Sequence, residues 1–173
     1  MRKITYRGIF TGLILLVCHS CMKTDEYPVE PSIELESFTR IYNSSQGIFD
    51  RGILRISFTD GDGDIGLGPD ETEPPFDYNF IITYFEIQNG DTVEELLVWY
   101  NKQTQEFDTI NHNARIPYLT AKGTSKAING VIEDTLQIYN YNSEFDTILF
   151  RAYILDRALH KSNEVITPLI IRE

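Results

Sequence analysis

Cysteine is nearly missing from this chain: its 173 residues include two, Cys18 and Cys21, close together near the start. That excludes a disulfide-stapled scaffold and leaves the bulk of the chain to be held by its own core. Histidine is as scarce, with only His19, His112 and His160, and no Gly-x-Ser-x-Gly, His-Glu-x-x-His, phosphate-loop or dinucleotide-binding pattern occurs. Basic residues are in the minority, 15 Lys plus Arg against 26 Asp plus Glu, giving a formal net charge of −11. This balance argues against nucleic acid and against adhesion to anionic lipid, and it favours cations and solubility. No apolar period of 3.6 residues is sustained for three turns, so any helix is short.

Residues 1–20 have the pattern of an export signal. Arg2, Lys3 and Arg7 form a basic head, Ile9 to Val17 an apolar run too short to span a bilayer, and Ser20 is a small residue directly before Cys21. Removing the signal takes away three basic residues and no acid, which moves the formal charge to about −14. The segment Leu16-Val17-Cys18-His19-Ser20-Cys21 resembles a bacterial lipobox, with Cys18-His19 as its departure from the common pattern. The resemblance implies that Cys21 is the acylated (palmitate-type) residue and that the membrane is a partner through this lipid anchor. Two or three acyl chains hold firmly, at about 0.8 kcal/mol for each buried methylene. Residues 21–31, with Pro28 and Pro31, form a polar tether, and residues 32–173 form one domain. An ordinary secretory signal with a leftover thiol is the competing reading.

The domain reads as β throughout. Ile33 to Phe38 alternates, as does Ile53 to Phe58 with Leu54, Ile56 and Phe58 on one face, and Tyr42 to Asp50 reads as a polar connection between them. Asn79 to Ile87 is apolar on both faces, and Asn89-Gly90 turns it into a return strand over Thr92–Tyr100, expected as the longest hairpin. Arg115–Leu119 reads as a short strand, Asn129-Gly130 as a turn, and Val131–Tyr139 as a strand. A final hairpin joins Thr147–Leu155 to Val165–Ile171, with Pro168 marking an edge or bulge. Seven or eight strands without helices predict an all-β, immunoglobulin- or fibronectin-III-like antiparallel β-sandwich.

One stretch has no such periodicity: Thr59-Asp60-Gly61-Asp62-Gly63-Asp64-Ile65-Gly66-Leu67-Gly68-Pro69-Asp70-Glu71. Carboxylates at alternate positions converge on a point when the intervening glycines let the backbone curl, which suits calcium. Asp60, Asp62 and Asp64 are the first-choice metal ligands, with Glu71 and Asp70 behind them across Pro69. Counted from Asp60 the spacing resembles an EF-hand loop, with acids at the first, third and fifth positions and Glu71 at the twelfth. Ile65 stands where that loop needs glycine, and the flanks are not helical. The other reading is a solvated turn held by side chain to backbone hydrogen bonds.

Asp156-Arg157-Ala158 with Lys161-Ser162-Asn163, together with Phe58-Thr59-Asp60 through Gly66 and the lipobox, resembles a group of uncharacterised Bacteroidota outer-membrane lipoproteins with an immunoglobulin-like domain. The resemblance implies a fold and a lipid-anchored place at the outer membrane, facing either the periplasm or the medium, and carries no activity. The expected function is a non-enzymatic binding or structural module with protein or glycan partners and no catalytic residue. Trp99, Tyr100, Tyr139 and Tyr141 suggest a glycan-binding alternative, and an acidic-pair hydrolase is a third. His112 and His160 are expected as solvated surface residues.

Overall fold

The computed structural model describes residues 26–120 and 126–172, so the expected signal, Cys21 and the first tether residues lie outside the described part. It is all β and antiparallel. The strands are β1 (Ser32–Asn43), β2 (Ile48–Asp60), β3 (Phe80–Gln88), β4 (Asp91–Glu94), β5 (Val98–Asn101), β6 (Glu106–Thr109), β7 (Ile128–Gln137), β8 (Thr147–Ile154), β9 (Val165–Ile166) and β10 (Ile170–Ile171). One sheet has the order β1-β2-β7; the other has β10-β8-β3-β4, with β9 also on β8. The chain crosses from the first sheet to the second after β2, returns for β7 and crosses again to β8, as in a β-sandwich.

The core is the product of strand parity. Leu54, Ile56 and Phe58 of β2 face Phe80, Ile82 and Tyr84 of β3 and Ile148, Phe150, Ala152 and Ile154 of β8, all of them buried in one cluster. The same parity carries three carboxylates inside. Asp60 follows Phe58 on β2, Asp156 follows Ile154 beyond β8, and Glu86 follows Tyr84 on β3; each is no more than 1% exposed. Glu86 pairs with Ile148 at the start of β8, at the end of the sandwich opposite Asp156.

Several local expectations are corrected. The Tyr42–Asp50 connection is mostly strand: β1 and β2 form the longest hairpin, turning only at 44–47, where Asn43 accepts from the Ser45 N–H and Gly47 takes a φ of +73°. Arg40 lies 4.1 Å over the Phe49 ring and helps hold its tip. The return strand Thr92–Tyr100 is broken, because Leu97 turns inward to 1% exposure; only Asp91–Glu94 pairs with β3, and β5 joins β6 in a separate ribbon. Asn89-Gly90 is the tight turn expected, with both residues at positive φ. Arg115–Leu119 is not a strand, since the Asn79 side chain takes a partner's place, accepting the Ile116 N–H at 2.6 Å and donating to its carbonyl. Asn129-Gly130 is not a turn: β7 runs through it, and Gly130 lies under the Phe58 ring, where a Cβ would come within 2.9 Å. The final edge strand is split at Pro168 into β9 and β10.

Candidate metal centre

The acidic stretch begins as the last residue of β2 and leaves the sheet as a tight loop. Asp60 occupies an inward position, so its carboxylate is fully buried at the end of the core. Gly63 adopts φ +72° and lies against the Lys126 carbonyl, where a Cβ would come within 2.1 Å, so only glycine fits this curl. The curl swings Asp62 and Asp64 back towards Asp60. Ile65, at the position where an EF-hand loop carries glycine, is instead a core anchor with 1% exposure and bridges to Asp156.

One oxygen from each of Asp60, Asp62 and Asp64 lies within 4.8 Å of the other two. Calcium holds its oxygens at about 2.3–2.6 Å, so two oxygens on one ion are separated by at most roughly 4.6–5.2 Å, and the spacing fits. The Oδ1 atoms of all three are closed off from solvent and have no hydrogen-bond partner. Buried polar atoms are almost always partnered, so orphaned acceptors on three converging carboxylates form a candidate cation site. Asp60 Oδ2 accepts the Ile65 N–H at 3.3 Å.

The electrostatics agree with the geometry. Burial, with added repulsion from Asp62 and Asp64, pushes Asp60 up to about 6. Asp64 is also raised, by burial first and then by Asp156 and Asp62, against the opposing pull of Arg157. In the sequence, Asp156 stood only in the segment Asp156-Arg157-Ala158 and not among the candidate ligands. Its oxygens accept the His160 N–H at 2.7 Å and meet His160 Nδ1 at 2.8 Å, and the contact holds the His160 imidazole above its ordinary value. The signal for Asp156 was present in the alternation Ile148-Phe150-Ala152-Ile154-Asp156, which repeats the Leu54-Ile56-Phe58-Asp60 pattern of the opposite sheet.

Glu71 is not in the converging group. Its Oε2 accepts the Gly68 N–H at 2.5 Å and the Tyr118 hydroxyl at 3.0 Å, closing the loop behind the triad, and Asp70 lies exposed. Arg115 fixes the remainder by donating to the carbonyls of Gly68, Phe76 and Asp77.

The aromatic candidates divide. Trp99 and Tyr100 are 44% and 47% exposed on the β5–β6 ribbon, and with Phe107 and Tyr141 they line an open groove. His112 is a correction: it is 8% exposed, stacks on Tyr84, meets Phe150 edge-on and bonds the Gln137 carbonyl through Nε2, so burial lowers its pKa. His160 is the more exposed of the two.

No family model matches this chain, and neither does any curated protein or solved structure.

Proposed function

We propose that this chain is a lipid-anchored, non-enzymatic β-sandwich module of the outer membrane that takes a calcium ion in its acidic loop as a structural cofactor. The observation that carries the calcium reading is the convergence of three carboxylates, each of which also has a buried, unpartnered oxygen, one of them on a fully buried aspartate. Three protein carboxylates on a curled loop suit calcium better than magnesium, which usually keeps several waters and takes one or two carboxylates. The ion neutralises acids that otherwise repel at the end of the core.

The test is thermal unfolding of the full chain in detergent, in millimolar calcium and in chelator, beside an Asp62→Asn, Asp64→Asn variant. Calcium at 100 times its dissociation constant stabilises by about 2.7 kcal/mol, a rise of several degrees for a domain of this size. Coincident wild-type curves would overturn the reading. The anchor is tested separately: Cys21→Ala should move the protein from the membrane fraction to the soluble one.

The groove of Trp99, Tyr100, Phe107 and Tyr141 supports a second reading, stacking on the apolar faces of sugar rings. Loss of retention on a neutral polysaccharide gel upon Trp99→Ala is its expected signature; equal elution of both proteins would dismiss it.

A further inference from the structure

We infer that the cation site controls whether residues 26–30, in the neck between the anchoring cysteine and β1, stay docked on the domain. This rests on the calcium reading above and adds to it the site's partner, a segment of the same chain.

The coupling passes through Gly61, which stands between the ligand residues Asp60 and Asp62. Its N–H donates to the Pro28 carbonyl at 2.8 Å. A Cβ built on Gly61 would come within 2.3 Å of the Tyr27 carbonyl and 2.5 Å of the Pro28 carbonyl, so the neck backbone lies directly on the ligand loop. Asn129 of β7 donates to the Tyr27 hydroxyl at 3.2 Å, and β1 begins at once with Ser32 opposite Thr59, the residue before Asp60. The same loop supports two further contacts: Lys126 N–H donates to the Asp62 carbonyl at 3.0 Å and the Thr120 hydroxyl to the Gly63 carbonyl at 2.8 Å.

Most of the neck is lightly held, with Glu26, Pro28 and Glu30 exposed and Val29 half exposed, Tyr27 half-buried and only Pro31, next to β1, buried. A segment with so few buried contacts opens at low free-energy cost, and its docking depends on the surface it rests on. With the ion bound, Asp60 and Asp62 are pinned on either side of Gly61 and the N–H stays aimed at Pro28. Without it, the buried oxygens repel, the loop relaxes and that donor moves away. Release of residues 27–30, up to the buried Pro31, lengthens the tether by up to about 14 Å, at about 3.4 Å per residue. Calcium thereby sets how closely the domain is held to its anchor.

Limited digestion by a glutamyl endopeptidase tests this on the full chain in detergent. Cleavage after Glu26 reports the neck, and cleavage after the exposed Glu144 is the internal control. Calcium binding is measured in parallel by calorimetry. Chelator should speed the Glu26 cut about tenfold in the wild type and leave the Glu144 cut unchanged. Asp62→Asn should lose both the calcium heat and the calcium response, whereas Gly61→Ala should keep the heat but be cut rapidly after Glu26 in either condition. If calcium binds and the Glu26 cut runs at the same rate with and without it, the coupling is overturned while the metal site stands. If no calcium heat is seen, the metal reading fails and the coupling falls with it.

Discussion

Asp60 should make the metal-free protein less stable as the pH rises, opposite to the usual behaviour of a carboxylate. Its folded value of about 6 lies above the 3.8 of an unperturbed aspartate, so between these limits the folded state binds the proton more tightly than the unfolded state. Stability therefore falls as pH climbs from about 4 to above 6, and the loss is complete beyond that. At about 1.4 kcal/mol per pH unit the difference amounts to about 3 kcal/mol, or roughly 6–12 °C in midpoint for a domain of this size. The assay is denaturant unfolding of metal-depleted protein at pH 4.5 and pH 7.5, with Asp60→Asn alongside, so that groups uncoupled from Asp60 cancel in the difference. Wild type should lose about 2 kcal/mol more than the variant between pH 4.5 and pH 7.5, the rest of the difference falling below pH 4.5, and saturating calcium should abolish that excess. An equal pH response in the two proteins would refute the reasoning, because the buried carboxylate would then carry no charge penalty.

At the far end of the sandwich the sign reverses. Burial alone would raise Glu86, but donors from Ser143, Tyr84, Asn140 and Gln88 outweigh it and hold the carboxyl below 4.5. Its contribution is present above pH 4.5 and lost as pH falls through the lower folded value; Glu86→Gln should cost about 2 kcal/mol near neutrality and flatten that acid limb in pH-dependent unfolding. Gly130→Val should push a side chain into the Phe58 ring and cost about 1–3 kcal/mol by denaturant unfolding, with the strand assignment in doubt if stability is unchanged.

Sandwich class and most strands were legible because period-two alternation is a direct imprint of two facing sheets: Leu54-Ile56-Phe58 and Ile148-Phe150-Ala152-Ile154 are buried as the pattern demands. What misled was local turn chemistry judged without tertiary contacts. Asn89-Gly90 and Asn129-Gly130 look alike in the sequence, yet one turns at positive φ while the other is kept in a strand by the Phe58 ring above it. His112 looked polar by its neighbours Asn111 and Asn113, and nothing local announces that Tyr84 and Phe150 enclose it. At the candidate metal centre, the convergence of the three aspartates was visible in their spacing. Asp156 was visible only to a reading that follows inward parity past the last apolar residue, and Glu71 was misplaced because its loop closes on Tyr118.

The split of the last strand at Pro168 bears on how copies of this protein tolerate crowding. Ile166, Leu169 and Ile171 are all more than half exposed along that margin, a row of apolar side chains that on a continuous strand would invite a neighbour to extend the sheet. Two-residue fragments flanking a proline offer no uninterrupted ladder of donors and acceptors, so a second chain finds no template there. Protection against edge-to-edge aggregation is thus built into the backbone, which leaves those side chains free to stay apolar.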